Sequence, residues 1–496
     1  MKLTHLLPLF LSLAAAHAAT LQVTSTTVAD GNPGSLRAQV AAAASGDTIE
    51  ITATGTIALT AGEILVTGKD LEIVGRPGAG SLTITTNATS RALHFINTNT
   101  VITGITFDNC KGMPGDVDTG GAIAVDNFSQ GGTGNYTIIE DCTFTNNQSG
   151  WGGAVDIFNG ALWMSGCTFS GNTCTGLAFS TNGGGGALSL GPTWDSAIQN
   201  CTFSGNTQNG AATGQPGGGA IYNYGAGLAN PPTVTVEHCT FVANVDAAGA
   251  AGAIRGNYTA SYHTAAALKN CLLVNNKAPA TALKNFAGNP TGLLTASYTS
   301  LGGNVTDESA TSAQFMAAGV DKPGNAAVVP TVSATLALNG SVTTKTHAIT
   351  RGSPAQRVGL DSSVAVDQRG APRHTITDAG AFELIEPELS VTVAAAPLGE
   401  GATLAFGSTP FDAPIVRAVT LTNSQTSDFA GPLALGSVAV PPGFAVTGFP
   451  ASTLANGQSA IFNITLTGAN TGLFNVPLIF TGNDSFDPSL ALAAVG

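Results

Sequence analysis

Charged residues are scarce in this chain, at 9% of 496 residues, and aromatic residues make up only 6%. An intrinsically disordered chain needs low hydrophobicity and high charge, so a hydrophobic fraction of 43% excludes that class. The 17 Lys and Arg residues stand singly against 30 Asp and Glu, which gives a net charge of −13. Because a protein that neutralises phosphates needs clustered cations, we expect no nucleic-acid partner.

Long apolar runs are missing after the N-terminus. The chain opens with a weakly basic Met1-Lys2-Leu3, an apolar stretch from Leu6 to Ala16 and an A-x-A cleavage pattern that ends at Ala18. This order is typical of a secretory signal peptide, and the apolar stretch is too short for a transmembrane helix. We therefore predict a signal peptide over residues 1–18, an exported mature chain and no transmembrane segment after signal cleavage. The expected location is extracellular, at the cell surface or at the outer membrane.

Paired cysteine motifs are also missing, since no C-x-x-C occurs, and we expect no metal and no cofactor. The seven cysteines are an odd number for a complete set of disulfides. Five of them begin copies of one motif, and equivalent cysteines in stacked repeats are usually small apolar fillers. We favour a buried, reduced column over disulfides; these five are Cys142, Cys167, Cys201, Cys239 and Cys271.

Glycine, by contrast, is abundant at 63 residues, and much of it belongs to a repeat. One motif, G-G-A followed by an aliphatic residue, begins at Gly120, Gly152, Gly185 and Gly218, with a variant at Ala251. A second motif, C-T-F-x-x-N, alternates with it and begins at Cys142, Cys167, Cys201 and Cys239. A fixed period indicates one structural unit that stacks on copies of itself.

The repeat predicts a right-handed parallel β-helix. Each repeat contains short β-type runs bounded by Gly and Asn, and none contains a credible amphipathic helix. Equivalent residues then form columns about 4.8 Å apart along the stack. We expect an inward aromatic column and a ladder of Asn side chains at a turn, where Asn tolerates a left-handed backbone. The columns are Phe107, Phe144, Phe169, Phe203, Phe241 and Leu273, and Asn147, Asn172, Asn206, Asn244 and Asn276.

The chain is predicted to be all-β, with the β-helix followed by an Ig-like β-sandwich. Residues 19–310 form the β-helix, whose open end is covered by an amphipathic helix within Gly34 to Ala44. Residues 311–385 close it. From residue 386 to 496, about seven short alternating runs separated by Gly, Pro and Asn are typical of a sandwich.

The two repeat motifs resemble those of chlamydial polymorphic outer-membrane proteins and related bacterial β-helix proteins, over residues 104–276. The opening PGSLRAQVAAAASGDTIEI is similar to the N-terminal cap of exported bacterial β-helix proteins. THAITRGSPAQ, VDQRG and DAGAFE resemble the closing region of the bacterial choice-of-anchor surface family, and the C-terminal part is similar to bacterial Ig-like modules. These resemblances imply a surface-exposed or secreted protein. Chlamydial-type proteins are exported by a C-terminal barrel, which we do not expect in this chain, so the resemblance does not imply autotransport.

Candidate site residues follow from the repeat register. Two positions after each motif alanine comes an outward-facing column whose polar members are Asp156, Ser189, Tyr222 and Arg255. Asp126 lies on the same face, about 8 Å from Asp156 by strand and rung spacing. That separation suits an inverting hydrolase or two solvated side chains. His94 is interpreted as an isolated structural residue.

Aromatic residues near the later repeats offer a binding surface. We expect Tyr222, Tyr224, Tyr258, Tyr262 and Trp194 to be exposed, where their rings could stack on sugars. The expected ligand-binding set is Asp156, Ser189, Tyr222, Tyr224 and Arg255. The expected function is a non-catalytic adhesin or glycan-binding envelope protein with an extracellular glycan or cell-surface partner. The alternatives are a polysaccharide lyase or glycoside hydrolase that uses Asp126 and Asp156, and a structural envelope spacer.

Overall fold

The structure, a computed structural model, describes most of the chain after the N-terminus. The described ranges are 18–76, 81–112, 118–128, 134–176, 184–209, 217–225, 232–247, 251–256, 264–278, 284–287, 297–309, 319–399, 402–410, 412–450, 453–468, 473–484 and 489–495. Apart from Ala18, the predicted signal peptide lies outside them. The chain divides into two compact units, Met1–Glu383 and Leu384–Gly496.

The first unit is a parallel β-helix, as the repeat predicts. Its strands form three long parallel sheets, here called A, B and C. Sheet A consists of Thr20–Val23, Asp47–Ile51, Leu71–Gly75, Thr100–Thr103, Tyr136–Glu140, Ala161–Ser165, Ser196–Gln199, Thr233–Glu237, Ala265–Lys269 and Ser297–Gly302. Sheet B consists of Gly55–Ala58, Leu82–Thr85, Thr106–Asp108, Thr143–Thr145, Thr168–Ser170, Thr202–Ser204, Thr240–Val242, Leu272–Val274 and Val305–Thr306. Sheet C consists of Ile64–Thr67, Leu93–Ile96, Ile123–Asp126, Val155–Phe158, Leu188–Gly191, Ile221–Asn223, Ile254–Gly256 and Phe286–Ala287.

A fourth, narrow parallel sheet fills one corner of the β-helix, with Gln148–Ser149, Thr173–Cys174, Thr207–Gln208 and Val245–Asp246. Beside it, the second glycine of each G-G-A motif lies against the next rung. A Cβ atom at Gly153 would collide with the carbonyl oxygen of Gly186, and one at Gly186 with that of Gly219. The motif therefore keeps glycine because neighbouring backbones pass too closely for a side chain.

The predicted inward columns are confirmed. Successive phenylalanine rings from Phe107 to Phe241 stack with centroids 4.6–5.3 Å apart. All seven cysteines are buried and free of disulfides. In the Asn ladder each side chain bonds the next rung, as where Asn172 Nδ2 donates to Asn206 Oδ1 at 2.9 Å. Cys110, which stands where the first copy would have Asn, ends the ladder by donating its backbone N–H to Asn147 Oδ1.

The expected left-handed backbone of the ladder asparagines is wrong. The positive φ belongs to the residue just before each ladder position, for example Asn146 at 55°, Gly205 at 61° and Ala243 at 56°. The ladder side chain points inward to satisfy backbone groups, so the preceding residue makes the turn.

The N-terminal helix is shorter than predicted, at Leu36–Ala42, and buries Leu36 and Val40 against the first strands. The side chain of Ser35 accepts a hydrogen bond from the Ala38 backbone N–H and caps the helix. No helix in the described residues is both long and apolar enough to span a bilayer.

The closing segment lies along the outer face of sheet B and contacts several rungs. Thr168 Oγ1 donates to Lys345 O at 2.7 Å, and Thr202 Oγ1 donates to Gln368 Oε1 at 2.6 Å. The Ala381 backbone N–H donates to Thr240 Oγ1 at 2.8 Å. The Thr of C-T-F-x-x-N thus bonds the segment that covers the sheet. The segment also contains a 3-10 helix at Ala326–Thr331.

Charged residues of the closing segment pair with one another. Arg369 forms an ion pair with Asp367 at 2.7 Å, and Arg373 forms one with Glu383 at 2.9 Å. Asp378 Oδ1 accepts the Arg357 backbone N–H. These contacts join residues within the segment, and the side chains of the two ion pairs are almost fully buried.

The second unit is a β-sandwich of two sheets. One contains Leu389–Val393, Ala396–Leu398, Ile415–Asn423, Phe444–Thr447 and Ser459–Leu466, all antiparallel. The other contains Thr403–Ser408, Leu435–Ala439, Leu473–Gly482 and Ser489–Val495, of which the first and last pair in parallel. Its core includes Val419, Leu421, Phe406, Phe462 and Ile464.

Candidate functional site

The outward column of sheet C has the predicted register. Ala124, Asp156, Ser189, Tyr222 and Arg255 are direct partners on consecutive strands. The column also continues in the N-terminal direction, through His94 to Leu65. Sequence reasoning missed these two rungs because their strands lack the G-G-A motif.

The expectation that this column is open to solvent is wrong. Asp156 is 2% exposed, Arg255 is 5% exposed, and Tyr222 and Ser189 are fully buried. Tyr224, also expected to be exposed, is buried and donates its hydroxyl proton to Ile157 O. Tyr258 and Tyr262 lie outside the described residues.

Large aromatic side chains pack on one another on this outer face. The Trp151 ring lies 5.8 Å from the Tyr222 ring and 5.0 Å from the Tyr224 ring, between centroids. The two tyrosine rings are 6.0 Å apart. Aromatic rings in such tilted and edge-on contacts exclude water from the strand beneath.

Several buried polar atoms in this cluster have no hydrogen-bond partner. They are Asp156 Oδ1, Tyr222 Oη, Arg255 Nε and Trp151 Nε1. Buried polar atoms in native proteins are normally paired, because an unpaired one costs about 1–3 kcal/mol. Three of these four are N–H or O–H donors, so the cluster is short of acceptors.

His94 is not isolated, contrary to the interpretation of the sequence. Its Nε2 lies 2.8 Å from Asp126 Oδ2, and its Nδ1 lies 3.3 Å from Glu63 Oε1. Glu63 also pairs with the buried Arg91, which donates to Thr119 O at 2.7 Å. This charge network links strands of three consecutive rungs. An alignment of Leu93-His94-Phe95 with Ile123-Ala124-Val125 would have placed His94 in the same column as Ala124.

Burial and charge set the pKa values of this network. Burial opposes the charged form of His94, but hydrogen bonds to Asp126 and Glu63 outweigh it and raise the His94 pKa. Burial also opposes ionisation of Glu63, but its hydrogen bond to His94 and the charge of Arg91 lower its pKa. Burial, and then the charge of Asp126, hold the pKa of Asp156 well above the usual range.

This arrangement is poorly suited to acid–base chemistry on a large substrate. Both nitrogens of His94 already face carboxylates, so neither is free to accept a substrate proton. Asp156, the carboxyl group with the raised pKa, is almost completely covered. Asp126 is held by His94 at the edge of the network. The charges of these residues neutralise one another between neighbouring rungs, and this structural role is enough to account for their presence.

An open aromatic cleft lies instead on the outer side of sheet A. It measures about 500 Å³ and is lined by Gly134, Tyr136, Ala161, Trp163, Thr193, Trp194, Asp195 and Pro232. The Tyr136 and Trp163 rings lie 5.8 Å apart on neighbouring strands. Trp194, an aromatic residue expected to be exposed, is 52% exposed.

The local sequence explains how the cleft is held open. Trp194 lies just before the strand Ser196–Gln199, and its indole ring packs on Gly134, where a Cβ atom would collide with it. Asp195 Oδ1 accepts the Thr233 backbone N–H at 2.8 Å and fixes the loop that carries Trp194. Small residues at Ala161 and Thr193 leave the aromatic faces accessible. Among the described residues that line the cleft, Asp195 is the only charged one.

Comparisons with known proteins add no family. A scan against protein-family models finds no match, and a search of curated proteins finds no similar sequence. Within the described residues no group of three or more His, Cys, Asp or Glu side chains is arranged to hold a metal ion.

Proposed function

We propose that this protein is an exported, non-catalytic glycan-binding protein of the cell surface or extracellular space, with the character of an adhesin. The observation that carries the proposal is the aromatic cleft formed by Tyr136, Trp163 and Trp194. Ligand sites typically combine aromatic walls with a few polar groups that fix orientation, and this cleft has Asp195 and Thr193 beside its rings. Flat, partly exposed rings suit the apolar faces of sugars.

The resemblances to bacterial surface proteins support the exported location. Paired G-G-A and C-T-F-x-x-N motifs resemble those of polymorphic outer-membrane proteins, and the closing segment resembles that of the choice-of-anchor family. The apolar N-terminus followed by Ala16-His17-Ala18 has the features of a secretory signal. We propose an extracellular glycan or another cell-surface component as the partner.

The enzyme alternative is less well supported by the geometry. A glycoside hydrolase needs an acid and a base that both reach the glycosidic bond. Asp156 is covered by its neighbours, and Asp126 is bound to His94. A spacer with no ligand, the other alternative, would gain nothing from a half-exposed tryptophan in a cleft.

A polysaccharide panel scored for both retention and turnover tests the proposal. We expect retention of at least one glycan without reducing ends or unsaturated products, and loss of retention in Trp194→Ala. Phe128→Ala is the matched control, since Phe128 is also exposed, at 58%, but does not line the cleft. Product formation would support an enzyme instead, and no retention across a broad panel would exclude a glycan-binding role.

A further inference from the structure

Arg255 is a buried cation that lacks a counter-ion. It is 5% exposed, its Nε has no hydrogen-bond partner, and it forms no ion pair with any carboxylate in the described part of the chain. Asp156, on the same column, is three strand spacings away, or about 14 Å. Because a buried charge without a partner is costly, this position calls for an anion.

The neighbours of Arg255 add further donors. Tyr222 is its direct partner on the preceding strand, and the Tyr222 hydroxyl has no partner. Trp151, whose ring edge packs against Tyr222, carries an indole N–H that also lacks an acceptor. Three donors without acceptors therefore lie around one stretch of the outer face, together with one positive charge.

The chemistry of these donors defines the group that would satisfy them. A carboxylate has two oxygens with several acceptor positions, and it matches the planar fork of an arginine side chain. The surrounding atoms are nearly covered, so only a small group can reach them. A carboxylate at the edge of a sugar ring meets both conditions.

We infer that Arg255, Tyr222 and Trp151 form a second binding site, which takes the carboxylate of a uronic acid unit. The choice of a sugar as the carrier of the carboxylate rests on the proposed glycan-binding function. The carboxylate site itself rests only on the buried, unpaired donors. The two sites lie on different sheets, so their contributions can be separated by mutation.

Matched trisaccharides of galacturonic acid and galactose test this inference, because they differ in the carboxylate. Calorimetry with the wild-type protein is expected to show at least tenfold tighter binding of the galacturonate form, with a preference that weakens as salt rises. Arg255→Met is expected to abolish the preference, whereas Arg76→Met, which removes an equally charged but 68% exposed side chain, is expected to keep it. Tyr222→Phe removes only a hydroxyl group and is expected to reduce the preference while the fold stays intact.

Three results would overturn the inference: equal binding of the two trisaccharides by the wild-type protein, a preference that survives in a folded Arg255→Met variant, or a preference that is undiminished in a folded Tyr222→Phe variant. Trp194→Ala distinguishes this failure from failure of the proposed function. Equal binding of both sugars that is lost in Trp194→Ala contradicts the carboxylate site and supports the cleft. A carboxylate preference that persists in Trp194→Ala together with an unchanged affinity for both sugars supports the second site and contradicts a role for the cleft.

Discussion

Replacement of Asn206 by Ala should strongly destabilise the β-helix, because this side chain lies in the middle of the ladder and is fully buried. Its Nδ2 donates to Phe169 O at 3.1 Å and to Asn244 Oδ1 at 2.8 Å. Its Oδ1 accepts from the backbone N and the Nδ2 of Asn172, at 3.1 and 2.9 Å. The alanine variant loses all of these bonds.

The size of the expected loss of stability follows from the hydrogen bonds that are lost and from the buried groups that are left without a partner. Four lost hydrogen bonds at about 1 kcal/mol each give about 4 kcal/mol. The buried Asn172 backbone N–H, which donates to Asn206 Oδ1 in the wild type, loses its acceptor, and this brings the expected loss to about 6 kcal/mol. That is a large part of the free energy of unfolding of a typical domain, which is about 5–15 kcal/mol.

Urea unfolding followed by circular dichroism measures this loss. Asn32→Ala is the matched control, since Asn32 is exposed and should change the free energy of unfolding by less than about 0.5 kcal/mol. A loss of less than about 1 kcal/mol in Asn206→Ala would refute the argument that the ladder holds the rungs together.

Three further predictions concern other parts of the fold. Thr168→Val should cost about 2–3 kcal/mol and speed hydrogen exchange at Lys345, whose backbone N–H donates to Thr168 Oγ1; unchanged exchange would contradict the contact. A thiol reagent at pH 8 should label none of the seven cysteines in the folded protein and all seven in denaturant, because they are buried without disulfides and burial raises the pKa of Cys271 to about 12. Asp156→Asn should flatten the pH dependence of stability above the ordinary carboxyl pKa of 3.8, where Asp156 of the unfolded chain is already ionised. The folded state holds the proton of Asp156 above the ordinary pKa of 3.8, so stability of the wild type falls as pH rises; His94, with its raised pKa, acts in the same direction above about pH 6.5. An equal slope in the variant would contradict the Asp156 contribution.

The columns of the β-helix could be predicted because the repeat reports them directly. Phe144, Phe169 and Phe203 occupy one motif position, and identical positions in a stack of parallel strands become neighbours. The turn geometry beside Asn206 could not be predicted in the same way. The motif does not reveal that Gly205 makes the left-handed turn while Asn206 points inward to satisfy backbone groups.

The sites were harder to predict for a different reason. Alternation indicated that Asp156 and Tyr222 face away from the core, but it says nothing about what covers the outer face. Trp151 covers that face, and it lies outside the column. The cleft escaped prediction because Tyr136, Trp163 and Trp194 come from three different repeats, and Trp163 and Tyr136 belong to no motif.

The aromatic cleft carries the proposed function, and the affinity of the protein for a glycan that the panel retains tests it most directly. Calorimetry should show at least a tenfold rise in Kd for Trp194→Ala, equivalent to about 1.4 kcal/mol, with no change in the heat-unfolding midpoint. The Phe128→Ala control should bind like the wild type. Equal affinity of Trp194→Ala and wild type would contradict binding in the cleft.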